Sequence, residues 1–233
     1  MSDILKESKR FWEKRFTNSD FDFKPPSPKK VSEMIKRLEE HQAHKVLDLG
    51  CGFGPWSVAL AKAGFQVKAV DISSEAIRFV QKWADKEGLF VETEVCSAQE
   101  LVFTGQSFDA LICNSVLHHM PLAEASKTML NIKNILKPGR IAYISFYGLK
   151  EEERGKFVTL DDGTRRYTQG ERKGMLWRFY TNEEIKSLCG DLEILEFIEK
   201  ENGNREMWIR KRPVNDGENQ SVTNRSNKGD IAR

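Results

Sequence analysis

The stretch Val46-Leu47-Asp48-Leu49-Gly50-Cys51-Gly52-Phe53-Gly54-Pro55 decides the fold. Residues 46–49 read as a buried strand, and three glycines at alternate positions follow it. Pro55 suits the first turn of a helix, where its missing N–H does no harm. Glycines without a Cβ let the chain turn tightly and approach a ligand closely, at the positive end of that helix. In an α/β sheet this place, beyond the carboxyl end of a strand, is where ligands bind.

Spacing narrows the ligand. A dinucleotide fingerprint G-x-G-x-x-G needs glycine where Pro55 stands, and a P-loop needs a lysine that the loop lacks. The pattern present is D-x-G-x-G-x-G, from Asp48 to Gly54. A second strand ends at Val70-Asp71, and Asp71 lies about 20 residues beyond the first glycine, where an acid can accept hydrogen bonds from both hydroxyls of a ribose. Taken singly, the glycines fit an ordinary strand-to-helix turn and Asp71 fits a helix cap; their combination points to a nucleotide site.

Working outward, short apolar runs at 46–49, 67–70, 90–95, 110–113 and 141–146 alternate with helical spacing over 56–63, 75–86 and 122–136. That alternation predicts a parallel sheet with helices on both faces. Gly64, Gly88 and Pro138-Gly139 mark the boundaries. Upstream, residues 1–20 form an amphipathic, aromatic-bearing arm, and Pro25-Pro26-Ser27-Pro28 breaks the chain before a helix through Val31, Ile35 and Leu38. Downstream, residues 148–178 are charged, carry glycines and show little periodicity, so they read as a long functional loop or lid. Thr181-Asn182-Glu183-Glu184 starts a short helix, and strands are predicted at 192–198 and 205–210. From Pro213 onward the chain is polar and reads as disordered. The expected division is an arm at 1–28, one domain at 29–212 with a substrate-side insertion at 148–180, and a tail at 213–233.

Composition excludes several classes. The 233 residues are 39% hydrophobic and 31% charged, enough for one sizeable core under a solvated surface. A net charge of +2 is too mild to argue for nucleic acid, and no apolar run is long enough to cross a bilayer. Residues 1–10 lack the apolar core of a signal peptide. Cys51, Cys96, Cys113 and Cys189 form no C-x-x-C pair and read as free thiols of a cytoplasmic protein.

Residues 46–54 resemble motif I of the class I S-adenosylmethionine-dependent methyltransferases, of the small-molecule type, and Asp71 resembles their ribose-binding acid. The segment from Phe103 to His119, with Phe108-Asp109-Ala110 and Val116-Leu117-His118-His119-Met120, is similar to their fourth-strand motif; Leu136-Lys137-Pro138-Gly139-Arg140-Ile141 is similar to the turn before their fifth strand. The resemblance covers about residues 30–146 and implies a Rossmann-like, doubly wound α/β fold. Its seven strands would lie in the order 3-2-1-4-5-7-6, strand 7 antiparallel, with helices on both faces. It implies S-adenosyl-L-methionine as cofactor and S-adenosyl-L-homocysteine as product. Asp48, Gly50, Cys51, Gly52 and Gly54 would meet it from motif I, and Asp71 and Ile72 from the second strand. Ser97, Ala98 and Gln99 would meet the adenine after the third strand, and Asn114 lies at the end of the fourth. Ser97 stands where the family often has an acid, so its adenine contact would be weaker or shared with Gln99.

The sulfonium brings its own electrophile, so the acceptor's side is mostly a matter of geometry. Asn114, His118 and His119 are the catalytic candidates, as base or hydrogen-bond partner; the histidines alternatively pack or cap the helix near Pro121. No nearby acid completes a metal set. Asn114 is followed by Ser115-Val116 rather than the Pro-Pro-aromatic of exocyclic-amine methyltransferases, and no Pro-Cys pair supports cytosine chemistry. A small-molecule O, N or S acceptor is therefore expected. An RNA methyltransferase or a non-catalytic S-adenosylmethionine-binding protein is the alternative. Phe11-Trp12-Glu13-Lys14-Arg15-Phe16 resembles a segment that such enzymes fold over the cofactor, with Trp12 near the sulfonium; helix packing is the competing role. Arg165, Arg166, Arg172, Lys173 and Arg178 suit either a carboxylate-bearing substrate or a solvated loop.

Overall fold

The computed structural model describes residues 2–17, 25–101, 107–148 and 155–213. The expected disorder of residues 214–233, and Phe103 of the fourth-strand motif, lie outside the described residues. In chain order the elements are α1 (Asp3–Thr17), α2 (Pro28–Glu40), β1 (Lys45–Leu49), α3 (Pro55–Lys62), β2 (Gln66–Asp71) and α4 (Ser74–Lys86). Then come β3 (Glu92–Val95), β4 (Phe108–Asn114), α5 (Leu122–Ile135), β5 (Leu136–Phe146), β6 (Phe157–Thr159), β7 (Arg165–Tyr167) and β8 (Leu176–Trp177). The chain continues with α6 (Asn182–Cys189), β9 (Glu193–Glu199) and β10 (Arg205–Arg210).

Seven strands form one sheet in the order β3-β2-β1-β4-β5-β10-β9. β1 pairs in parallel with β2 and β4, and β10 runs antiparallel to both β5 and β9. This is the expected order and the expected single reversed strand; they carry the labels β9 and β10 because three short strands precede them. The central strands put apolar residues on both faces because both faces are covered. Alternate residues divide between the faces: Leu47, Leu49, Leu111 and Ile144 join Met129 and Ile132 of α5 and Ile185 of α6. Val46, Ile112 and Ile141 join Leu38 of α2, Leu60 of α3 and Val80 of α4.

Polar ties hold the rim opposite the glycines. Asp109 accepts hydrogen bonds from the backbone N–H groups of His44 (3.1 Å) and Lys45 (2.9 Å) and from Lys137 Nζ (2.7 Å), so it ties the starts of β1, β4 and β5 together. Those three contacts hold its carboxyl below the usual range even though burial pushes the other way.

Three expectations need correction. Phe90 is not in the third strand: β3 begins at Glu92 and the Phe90 side chain is 87% exposed. Leu89 next to it packs on the core as α4 ends, so the apolar pair marks a helix exit rather than a strand. The third helix stops at Ile135, and Leu136 already pairs with Phe108 as the first residue of β5. Residues 148–178 are not a bare loop. Their described part holds a three-stranded antiparallel sheet, β6-β7-β8, whose strands of two and three residues are too short to show a period. Asp162 pins this small sheet to the main body by accepting the N–H of Leu122 at the start of α5 (2.7 Å).

Leu111 is fully buried in the middle of β4. Leu111→Ala is expected to cost about 2–5 kcal/mol, whereas Phe90→Ser should stay within about 0.5 kcal/mol. Urea midpoints at unchanged slope check both.

Candidate active site

The strand order reverses between β1 and β4, and a cavity opens there at the carboxyl edge of the sheet. One wall is Gly50, Gly52, Asp71 and Ile72, continued by Ser97, Ala98 and Gln99. The opposite wall is Ser115, Val116, His119 and Met120, and α1 covers the space with Leu5, Ser8, Trp12 and Phe16.

The glycine loop is shaped by its own backbone. The N–H groups of Gly50 (2.7 Å) and Cys51 (3.0 Å) both donate to the Val70 carbonyl of β2. Gly50, Gly52 and Gly54 all have left-handed φ, +70°, +54° and +82°. A side chain in that region costs about 1–2 kcal/mol at each position. A Cβ on Gly50 would also stand 2.4 Å from Val116 Cγ2, and one on Gly54 2.7 Å from Val80 Cγ2. The alternate spacing of the glycines thus follows the alternate turns of the chain.

Asp71 stands where the sequence places it. Its Oδ2 accepts Gly52 N–H and its Oδ1 accepts Ser73 N–H, both at 2.9 Å. A carboxylate offers about four lone-pair sites, so each oxygen keeps one for a diol in the cavity. Burial pushes its carboxyl up to about 6, against the pull of those two N–H groups. Ser97 and Gln99 are buried beside it, and the Ser97 hydroxyl has no hydrogen-bond partner among the described residues. Asn131 Nδ2 holds the Ala98 carbonyl at 3.2 Å, which fixes this turn.

Five of the sequence candidates do not line the cavity. Asp48 lies buried beneath the loop, where Ser57 Oγ donates to it at 2.6 Å; burial pushes its carboxyl up to about 7, Ser57 opposing and Asp71 adding to the rise. Gly54 caps α3, and the buried thiol of Cys51 is pushed well up, first by burial and then by Asp71 and Asp48. Asn114 faces a second cavity beside Tyr143 and accepts a hydrogen bond from Ser145 Oγ at 2.8 Å. His118 is completely buried behind His119.

His119 does line the cavity. Its ring is 4.7 Å from that of Trp12, edge to face, and its Nδ1 lies 3.1 Å from the Leu176 carbonyl. A carbonyl only accepts, so Nδ1 carries the proton and Nε2 keeps its lone pair. Burial lowers the ring to about 4, more than the Leu176 carbonyl restores. It is neutral at pH 7: a hydrogen-bond acceptor rather than a strong base. Just before it, Ser115 adopts a positive φ of 61°, a conformation a serine holds only where the surroundings enforce it, and its N–H donates to Ser145 Oγ at 3.0 Å.

Glu13 is the functional residue that sequence reasoning passed over. Its carboxylate accepts Ser73 Oγ (2.6 Å), Ser74 N–H (2.9 Å), Ser74 Oγ (3.0 Å) and Glu75 N–H (3.2 Å). It caps α4 from another helix and fastens α1 next to Asp71. The signal was present in the quoted Trp12-Glu13 pair, but only the fold shows which N–H groups the acid meets. On its other side α1 packs Phe11 against Tyr167 and Met175, and Glu7 pairs with Arg166 at 3.3 Å. The basic run of the insertion is engaged within the fold. Arg178 pairs with Glu184 at 2.6 Å, Arg165 lies over Phe157 and Phe179, and Arg172 lies over Tyr167.

Comparison with known proteins agrees with this geometry. Residues 46–139, from β1 to the start of β5, match a family model described as a methyltransferase domain. Over that stretch the chain is similar to methyltransferases. The chain is 32% identical over 120 residues to a ubiquinone biosynthesis O-methyltransferase of Xanthomonas axonopodis pv. citri, covering 51% of this chain and 49% of that one. The chain thus spans about half the length of the curated relatives it matches. Among solved structures, an S-adenosylmethionine-dependent methyltransferase of Clostridium acetobutylicum superposes with a TM-score of 0.65 at 17% identity, over 89% of this chain and 99% of that one. The 1,6-didemethyltoxoflavin-N1-methyltransferase of Burkholderia thailandensis gives 0.61 at 20% identity, over 89% and 85%. These two likenesses establish the fold.

Two outcomes test the site's electrostatics. A carboxyl whose value rises from about 4 in the unfolded chain binds its proton more tightly when folded, so stability falls as pH climbs from about 4 to about 7 and is level above. Asp48→Asn is expected to flatten that fall, read from urea midpoints across the range. Glu13→Ala should lower stability by about 1 kcal/mol through loss of the α4 cap, seen as a lower melting temperature.

Proposed function

We propose that this domain moves a methyl group from S-adenosylmethionine to an O, N or S nucleophile of a small molecule, with oxygen the favoured atom. One observation carries the reading: a single cavity joins the nucleotide-type groups Gly50, Gly52, Asp71 and Ser97 to an apolar aromatic end of Trp12, His119 and Met120, under the cover of α1.

The residues fit the cofactor. The free lone pairs of Asp71 suit two ribose hydroxyls, and the orphaned Ser97 hydroxyl suits an adenine edge. The Trp12 face suits a positive charge. S-adenosylmethionine, when bound, supplies a methyl group on a positively charged sulfur that is already activated toward attack. The chain's own task is to orient and enclose. His119 Nε2, held by the Nδ1–Leu176 contact, accepts a hydrogen bond from the acceptor's hydroxyl and aims its oxygen. Trp12 and Phe16 of α1 keep water from the reacting atoms. In this reading residues 1–28 are the lid, 29–212 the catalytic domain and 148–180 its acceptor-side insertion, in a cytoplasm that suits the four free cysteines. The names of the curated relatives favour oxygen. The helix over the cavity and the net charge of +2 count against RNA.

Calorimetry should show binding of S-adenosylmethionine and S-adenosylhomocysteine but not NAD, with Asp71→Asn weakening both by roughly tenfold or more. Labelled methyl offered metabolite extract and RNA side by side should appear in the small molecules. Label confined to RNA overturns the small-molecule reading, and absence of binding to both sulfur nucleosides overturns the whole.

A further inference from the structure

The chain leaves β4 through a turn that one side chain of β5 controls. Asn114 and Ser115 are consecutive, and Ser145 is the register partner of Asn114 across the parallel pair. The Ser145 hydroxyl donates to Asn114 Oδ1 at 2.8 Å and accepts the Ser115 N–H at 3.0 Å, while the Ser145 carbonyl accepts the same N–H at 3.2 Å. A hydroxyl has one proton and two lone pairs. With the proton committed to Asn114, a lone pair is left facing Ser115.

Ser115 needs that hold. Its φ of +61° lies in the left-handed region that L side chains rarely take. The other described non-glycine residue with a positive φ, Gln42, sits in an exposed surface turn. Ser115 instead lines the cofactor cavity, and its conformation sets the direction of everything after it. The turn lays Val116 on the glycine loop, its Cγ2 2.4 Å from where a Cβ on Gly50 would stand. His119 and Met120 then follow along the cavity wall. In an extended or right-handed conformation at residue 115 the chain leaves in another direction, and that wall is not built.

Resting on the methyl-transfer reading above for the ligand that fills the cavity, we infer that Ser145 is a positioning residue of the cofactor site. It props Ser115 in the left-handed conformation, and Asn114 acts through it rather than on the acceptor. Ser145 is buried and lines neither this cavity nor the one beside Tyr143, and Asn114 lines the second but not the first. Removing the hydroxyl therefore takes no contact from the ligand. It lowers the fraction of molecules whose wall is formed, and the apparent affinity falls by the same factor. Glycine occupies the left-handed region without a prop, so Ser115→Gly should make the hydroxyl dispensable.

The test is calorimetry of S-adenosylhomocysteine on the whole chain, run well below the melting temperature of every variant so that unfolding is not read as lost affinity. Ser145→Ala is expected to weaken binding by roughly 3- to 10-fold. The same change added to Ser115→Gly is expected to weaken it by less than about twofold, since the two positions share one interaction. Asn114→Ala should weaken binding when Ser115 is present and not beside Ser115→Gly. Wild-type affinity in Ser145→Ala overturns the proposal, as does an equal loss with and without Ser115→Gly, which a general role in stability would give. A loss from Asn114→Ala that persists beside Ser115→Gly overturns its share and returns the amide to direct contact with a ligand. A wild type that binds no S-adenosylhomocysteine removes the methyl-transfer reading, and this inference with it.

Discussion

The carbonyl of Val70 accepts two backbone N–H groups, from Gly50 and Cys51, and that junction sets the carboxyl edge of the sheet. It holds the end of β1 against the end of β2 and leads into a loop whose alternate residues are left-handed, a conformation only glycine occupies without cost. The next residue of β2 is Asp71, whose two oxygens are held by Gly52 and Ser73. Ser73 in turn gives its hydroxyl to Glu13. One hydrogen-bonded chain therefore runs from the sheet through the loop and the acid to the covering helix. A substitution at any of these positions disturbs the others.

The other half of the site depends on a different constraint. The turn after β4 is short, and the carbonyls of Leu117 and His118 and the Nδ1 of His119 are served by the small sheet β6-β7-β8 and the segment behind it. Removing His119 from water makes it neutral, and holding its Nδ1 against a carbonyl selects the tautomer. The histidine thereby becomes a directional acceptor with little appetite for protons, which suits a reaction whose electrophile arrives already charged.

Much of this was legible in the sequence because periodicity and glycine spacing report local backbone. The alternation of strands and helices over residues 46–146 was read from the residues themselves, whereas the order of seven strands, the reversed one at Arg205–Arg210 among them, and the places of Ser97 and Trp12 came from the resemblance to a family. What was not legible depends on contacts distant in sequence. The Glu13 bonds span about sixty positions, from α1 to the start of α4. Strands of two or three residues carry no period, so the small sheet looked like loop. Adjacent histidines are equivalent on paper, and only the fold sends His119 to the cavity and His118 into an aromatic core. Phe90 shows the converse failure, an apolar residue whose type suggested a strand while its position beyond a helix end left it in water.

The helix α1 has one more consequence. Its fifteen residues form a wall of the cavity, fastened by Glu13 to the nucleotide side and by Glu7 and Phe11 to the insertion. Ion pairs at a half-exposed surface weaken with salt, whereas aromatic packing does not. Raising ionic strength therefore loosens the Glu7–Arg166 fastening and leaves the hydrophobic one in place. The wall thus loosens along its charged seam first as salt rises.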